Sequence, residues 1–318
     1  MAKNRRKILD KVSYYHLMSR TVNGEALFGD WEKEVFRKMI WKVAEFSGVR
    51  VITYAVMKNH FHLLVEVPEE SREVSDEELV RRFRILYPSP TPWQPMGADV
   101  LRKILKEDSS EARRVRGELL SRMHDVSEFM KTLKLRYTLW FNRTKKRFGP
   151  LWSARFKSVL VEGDKWALRT VAAYIDLNAV RAGIVSDPKD YRFCGYGEAI
   201  GGGSRLAREG LMSVDRDLSG YRQTLYGYGS DVRDGKASVS REEAVRVLEK
   251  ERGRLPLATV LRCRVRYFSD GIIFGRAPFV LRELEANADG AKVKAHELTG
   301  SDWQGLSVGR GLRKDLFS

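Results

Sequence analysis

Residues 58–68, KNHFHLLVEVP, place two of the chain's five histidines one residue apart. Successive side chains on a strand point to opposite faces, so His60 and His62 share a face with Leu64 and Glu66. Phe61, Leu63, Val65 and Val67 make the other face, which is uniformly apolar and belongs to a core. Two neutral imidazoles on one strand face can reach a single metal ion. The same pair can equally be two hydrogen-bonded histidines of an ordinary strand, and the motif by itself does not decide.

A partner group stands further along. Residues 164–185, DKWALRTVAAYIDLNAVRAGIV, have the period of one helix, with Asp164 as N-cap and Gly183 as stop. Leu168, Val171 and Ile175 make its apolar stripe, and Tyr174, Asn178 and Arg181 fall at i, i+4 and i+7 beside it. A phenol there could attack a metal-polarised phosphodiester, and the Asn oxygen one turn on could be a third metal ligand. Taken alone, the stripe also fits an ordinary amphipathic helix. Tyr137 is a rival phenol, but the residue four places on is Phe141, which cannot ligate a metal. Tyr137 therefore reads as a packing or base-stacking residue.

The elements that must position these groups follow from periodicity and punctuation. Strands are predicted over 12–22 and 49–57, ahead of the histidine strand, with a helix over 30–47 between them. That helix has Asp30 as N-cap, an apolar stripe of Val35, Met39, Ile40 and Val43, and Gly48 as its end. A helix follows over 74–88, then a break at 87–97 that holds four of the nine prolines, then helix through 100–140 and a short strand at 155–162. The order β-α-β-β-(helices)-β-α predicts an α+β fold, an antiparallel sheet with helices on one face. GYGEAIGGGSR (195–205) reads as a boundary, dividing the chain into 1–200 and 201–318. The second part is expected to be mainly helical, with helices over 240–253 and 255–275. Arg262, Arg264 and Arg266 beside Tyr267 and Phe268 make it a candidate accessory DNA-binding module, a plain helical packing module being the equal alternative.

Charge narrows the partners. Lys+Arg number 58 against 42 Asp+Glu, a formal charge of +16, which favours a polyanion, nucleic acid before anionic membrane. No apolar run approaches the ~18 residues of a spanning helix, so no membrane role is expected. The first residues lack the apolar run of a signal peptide. Cys194 and Cys263 stand in no metal spacing, which suits a reducing cytoplasm. Residues 131–157 carry nine Lys/Arg and no acid, interleaved with Tyr137, Trp140, Phe141, Phe148, Trp152 and Phe156. Cations can track phosphates, and exposed aromatics can stack on unpaired bases at ~1–3 kcal/mol each. Arg136, Arg143, Lys145, Lys146, Arg147, Arg155 and Lys157, with Arg181, are the expected nucleic-acid contacts. NRTKKRFG reads as a basic hairpin-like loop, and affinity should fall with salt.

Together, MKNHFHLLVEVP and AAYIDLNAVRAGIV resemble the signature segments of the HUH single-tyrosine transposases, and within them the REP-associated tyrosine transposase group. RYTLWFNRTKKRFGPLWSARFKS (136–158) is similar to the aromatic and basic run of that group. The resemblance spans about residues 10–195. It departs at Ala179, where relatives usually have Pro, and in a longer insertion near 87–110. It implies a ferredoxin-like sandwich, with His60 and His62 as the metal pair, Tyr174 as nucleophile and Asn178 as the assisting ligand. The implied activity is cleavage and rejoining of single-stranded or hairpin DNA with a divalent ion (Mg or Mn), through a 5′-phosphotyrosine link and a free 3′-hydroxyl. The implied assembly is a monomer or a homodimer. The alternative is a DNA-hairpin-binding protein on the same scaffold that has lost catalysis. The four intact groups His60, His62, Tyr174 and Asn178 argue against it.

Overall fold

The structure, a computed structural model, describes residues 12–68, 74–92, 94–226, 267–286, 293–298 and 304–311. The chain forms two compact units. One comprises Phe28–Val51 and Glu66–Leu151; the other comprises the residues up to Leu27, Ile52–Val65 and the chain from Trp152 on. This division has no break at 200.

The first of these units is helical: α1 (Asp30–Ser47), α2 (Asp76–Leu86), α3 (Ala98–Leu105), α4 (Ser110–Leu120) and α5 (Val126–Lys145). Helix α1 is capped by Gly29, one residue before the expected cap Asp30, and ends where expected on Gly48, whose φ of 68° is the left-handed conformation that glycine adopts without strain. Its buried stripe runs through Phe36, Ile40, Val43 and Ala44. Val35 and Met39 are only half-buried, one position off the expected stripe. Phe36 anchors an aromatic cluster with Phe28 and Tyr137, whose rings lie 6.3 and 4.6 Å from it. Tyr137 is fully buried and donates its hydroxyl to the Glu32 carbonyl at 3.0 Å. Burial, with the Glu32 carboxylate nearby, pushes its pKa up. Of the two roles expected of Tyr137, packing or base-stacking, it has the first.

The other unit is built on a sheet of β1 (Ser13–Arg20), β2 (Arg50–Val56), β3 (His60–Val67), β4 (Lys157–Val161), β5 (Ile273–Arg276), β6 (Val293–Glu297) and β7 (Leu306–Gly311). The strand order is β2-β3-β1-β4-β5-β7-β6, whose first four strands follow the ferredoxin-like order. β1 pairs antiparallel with β4, His16 lying opposite Val159. β4 and β5 are parallel, and β7 is antiparallel to both β5 and β6. The α+β class and the largely antiparallel sheet are as expected. Around the sheet run α6 (Lys165–Asp176), α7 (Asn178–Arg181), α8 (Gly195–Ile200), α9 (Arg205–Met212), α10 (Leu218–Tyr226), α11 (Tyr267–Asp270) and α12 (Ala277–Ala286).

Three expectations are corrected here. The helix expected over 164–185 is two. Asp164 caps α6 by accepting from Trp166 N and Ala167 N, but the run stops at Leu177 (φ −78°, ψ 2°) and resumes as the short α7. The tail is not helical alone: among its described residues β5, β6 and β7 extend the sheet beside the helices α9 to α12. These strands are four to six residues long, too short for a period of two to be legible. The segment 195–205 opens with a buried helix. Gly195 lies against β2, where a Cβ would meet Thr53 Cα at 3.0 Å and its hydroxyl more closely still; Gly197 lies against the Tyr191 carbonyl. These glycines allow close packing. Gly195→Ala should therefore cost about 1–3 kcal/mol by overpacking, measured by urea unfolding, and an unchanged midpoint would refute the close-packing role. The helix expected over 240–253, most of the one over 255–275, and Arg262, Arg264 and Arg266 lie outside the described residues.

Candidate active site

Strand β3 is buried on both faces over 61–65. His62 is only 7% exposed and Leu64 fully buried, while His60, nearer the strand's start, is half-buried. The histidine face is therefore covered, and a histidine that sequence reasoning passed over takes part in covering it. His16, in the middle of β1, is fully buried. Its Nε2 lies 2.9 Å from His62 Nδ1, and its Nδ1 lies 2.7 Å from the Phe268 carbonyl oxygen on α11. The two rings stack with centroids 5.1 Å apart, and the His60 ring stands edge-on to His62 at 5.2 Å.

Burial sets the charge of this cluster. It lowers the His16 pKa to about 4, against the raising influence of the Phe268 carbonyl and with help from Arg181. Burial, then His16, His60 and Arg181, hold His62 well below the usual imidazole value. Both rings are neutral at pH 7. Geometry then fixes the protons. A carbonyl only accepts, so His16 Nδ1 carries the hydrogen and its Nε2 accepts; His62 Nδ1 must donate, which leaves the His62 lone pair on Nε2. His60 is set similarly. Asn59 donates its Nδ2 to the Gly24 carbonyl at 2.8 Å, which turns its Oδ1 toward His60 Nδ1 at 2.7 Å. These assignments come from the network of partners, the usual basis for placing ring protons.

The helix expected to hold the partner groups brings them here. The Tyr174 ring lies 6.0 Å from His16 and 6.2 Å from His62, edge-on to both. It is held by Phe268, whose ring is 4.4 Å away, and by the Arg181 guanidinium 4.0 Å from its centroid. Arg181 also donates to the Tyr174 carbonyl at 2.6 Å. Expected among the nucleic-acid contacts, Arg181 is thus engaged with Tyr174. Asn178, 9% exposed, bonds back through Nδ2 to the Ile175 carbonyl at 3.0 Å, so Oδ1 is the atom of that side chain that can ligate. Between Tyr174 and the break at Leu177, Asp176 is fully buried. Its carboxylate accepts from the Thr53 hydroxyl (2.8 Å), Tyr196 N (3.0 Å) and the Tyr221 hydroxyl (2.6 Å), which ties α6 to β2, α8 and α10. Burial still outweighs these donors and pushes its pKa up to about 6.

The donor set suits a divalent ion in type: the neutral His62 imidazole with its lone pair on Nε2, the His60 imidazole beside it, and an amide oxygen. Among the described residues no group of three or more His, Cys, Asp or Glu gathers to hold a metal.

The expected nucleic-acid contacts divide. In the helical unit, Arg143, Lys145 and Lys146 are exposed and Arg147 is half-buried. The segment NRTKKRFG is the last turn of α5 and its exit. Lys146, at φ 49°, closes the helix by donating its N–H to the Asn142 carbonyl. Basic residues suit a helix C-terminus. Lys145 also pairs with Glu32 at 2.6 Å; burial opposes the Glu32 charge, but the Lys145 ammonium and backbone hydrogen bonds together hold the carboxyl below its usual value. Arg136 packs over the Tyr87 ring (4.9 Å) and donates to the Leu86 carbonyl. Arg155 and Lys157 are exposed in the sheet unit. Among the described residues no helix is long and apolar enough to cross a membrane.

Comparison with known proteins places part of the chain. No curated protein matches it. A solved structure of a REP-associated tyrosine transposase bound to a REP hairpin is similar at 16% identity and a TM-score of 0.37, over 76% of this chain and 98% of that one. The family model described as Transposase IS200 like matches residues 4–83, which run from before β1 into α2. The segment that carries His16, His60 and His62 lies within the stretch that matches this family model.

Proposed function

We propose that this chain is a tyrosine transposase that cleaves and rejoins single-stranded DNA at hairpin-flanked sites. The observation that carries the proposal is the approach of the Tyr174 ring to within 6.2 Å of the His62 ring, in a segment of transposase pattern. Tyr174 Oη bonds to the scissile phosphorus while the bond from phosphorus to the 3′ oxygen breaks. The phenol proton is lost and the departing oxygen gains one, leaving a 5′-phosphotyrosine and a 3′-hydroxyl. Phe268 and Arg181 keep the phenol ring against the histidines while this happens. His60 and His62, with Asn178 assisting, would hold a divalent ion (Mg or Mn) that stabilises charge on the phosphoryl oxygens. The link conserves the bond for rejoining, so no nucleotide is consumed. Arg143, Lys145, Lys146 and Arg147, and separately Arg155 and Lys157, are the cations offered to phosphates, which makes binding weaken with salt.

The test is to incubate the protein with single-stranded hairpin DNA and Mn or Mg, then run a denaturing gel. A strand labelled at its 3′ end should travel with the protein, while a 5′ label is released on a fragment ending in a 3′-hydroxyl. Chelation should abolish both. Tight hairpin binding with no adduct for any hairpin substrate would replace the proposal by a binding-only protein, and the opposite polarity of labelling would remove the 5′ linkage.

A further inference from the structure

We propose that His16 is a positioning residue for His62: its Nε2 accepts the His62 Nδ1 proton and so holds the His62 lone pair on Nε2, facing a metal. The proposal rests on the metal-holding reading above and extends it to a residue that touches neither metal nor DNA. The chain of bonds has one direction. The Phe268 carbonyl fixes the hydrogen on His16 Nδ1 (2.7 Å), that fixes His16 Nε2 as an acceptor, and the acceptor fixes the hydrogen on His62 Nδ1 (2.9 Å). No side chain at the far end can reverse it, because the anchor is main chain. His16 is fully buried in β1, one strand over from β3, so the ring cannot turn to another partner without leaving a buried nitrogen unpaired. Metal-binding histidines need such a partner on the other ring nitrogen, and losing one typically weakens metal binding 10–100-fold.

Phe268 has two parts in this arrangement. Its carbonyl orients His16, and its ring packs on Tyr174 at 4.4 Å. A residue of α11, far beyond the matched segment 4–83, therefore sets both halves of the site.

The test uses the full chain without metal and reads the ring nitrogens of His62 by 15N NMR at neutral pH, together with Mn(II) affinity from the EPR signal of the free ion. Wild type should show His62 protonated on Nδ1. His16→Phe removes the acceptor; the His62 proton should redistribute toward Nε2 and Mn affinity fall 10–100-fold, with metal-free hairpin binding kept as the measure of folding. His16→Gln supplies an amide oxygen for His62 and an amide N–H for Phe268, and should restore both signals. A wild-type His62 protonated on Nε2 overturns the assignment, as does a folded His16→Phe whose Mn affinity moves less than twofold. If His16→Phe does not fold, the wild-type tautomer and the glutamine variant decide, and loss of Mn binding in His16→Gln counts against it. Intact Mn binding without any DNA adduct would sink the cleavage reading and leave this one supported.

Discussion

Tyr174→Phe abolishes the covalent adduct, lowering its rate of formation by on the order of 10⁴-fold or more, while the protein stays folded and still binds hairpin DNA. The size of the loss follows from removing a nucleophile outright, after which only binding and electrostatic assistance remain. The specificity follows from the geometry. Phenylalanine keeps the ring that packs on Phe268 and lies under the Arg181 guanidinium, and it keeps the carbonyl that accepts from Arg181. Only the oxygen goes, so stability should change by less than about 1.5 kcal/mol. Thermal unfolding and a filter-binding assay run beside the gel separate the two effects. An adduct that persists in Tyr174→Phe would show that another residue forms the bond. The buried Tyr137, whose hydroxyl serves the Glu32 carbonyl, would not be its replacement.

What could be read from the sequence follows from where the signal is local. β1, α1, β2 and β3 were legible because each is long enough to show its period, and Gly48 marks the end of α1 by its backbone alone. The juxtaposition of Tyr174 with His62 rested on a resemblance; periodicity placed Tyr174 on a helix but could not say which strand it meets. His16 was passed over for a different reason. Its partners are a main-chain carbonyl 252 residues away and a ring 46 residues away, and neither leaves a mark near position 16. The signal that could have found it is a histidine in the middle of an apolar strand, which must find a hydrogen-bond partner once buried. The glycines at 195 and 197 misled because glycine serves close packing as well as loops, and the residues they pack against, Thr53 and Tyr191, are distant or unremarkable in sequence. Arg136 misled because a cation among cations reads as surface, although an aromatic face and a carbonyl can hold it.

Acidification from pH 7 to about 4.5 destabilises the metal-free protein, and Asp176→Asn makes the loss steeper. Two buried groups whose pKa values move in opposite directions oppose each other in this range. The Asp176 pKa is raised from 3.8 to about 6, so the folded state holds its proton more tightly. That contribution is fully present below about pH 4 and is lost as pH rises through 6. The His16 pKa is lowered from 6.5 to about 4, so the folded state resists its proton; that contribution is present above about pH 6.5 and is lost as pH falls toward 4. Each is worth about 3 kcal/mol, and they nearly cancel. His62, lowered in the same direction as His16, is left uncompensated and decides the sign: stability falls with pH. Glu78, held at about 2 chiefly by Arg81 with further help from Arg82 against a smaller burial effect, contributes its loss below about pH 4.5, outside this window. Urea unfolding at pH 7, 6, 5 and 4.5 measures the slope. Asp176→Asn removes the only one of these three groups that gains from acid, so its stability should fall more steeply than wild type over the same range. His16→Gln removes one that loses, so its curve should be flatter. A slope unchanged by Asp176→Asn would mean that the buried carboxyl titrates as it does in the unfolded chain, its three donors having offset its burial in full.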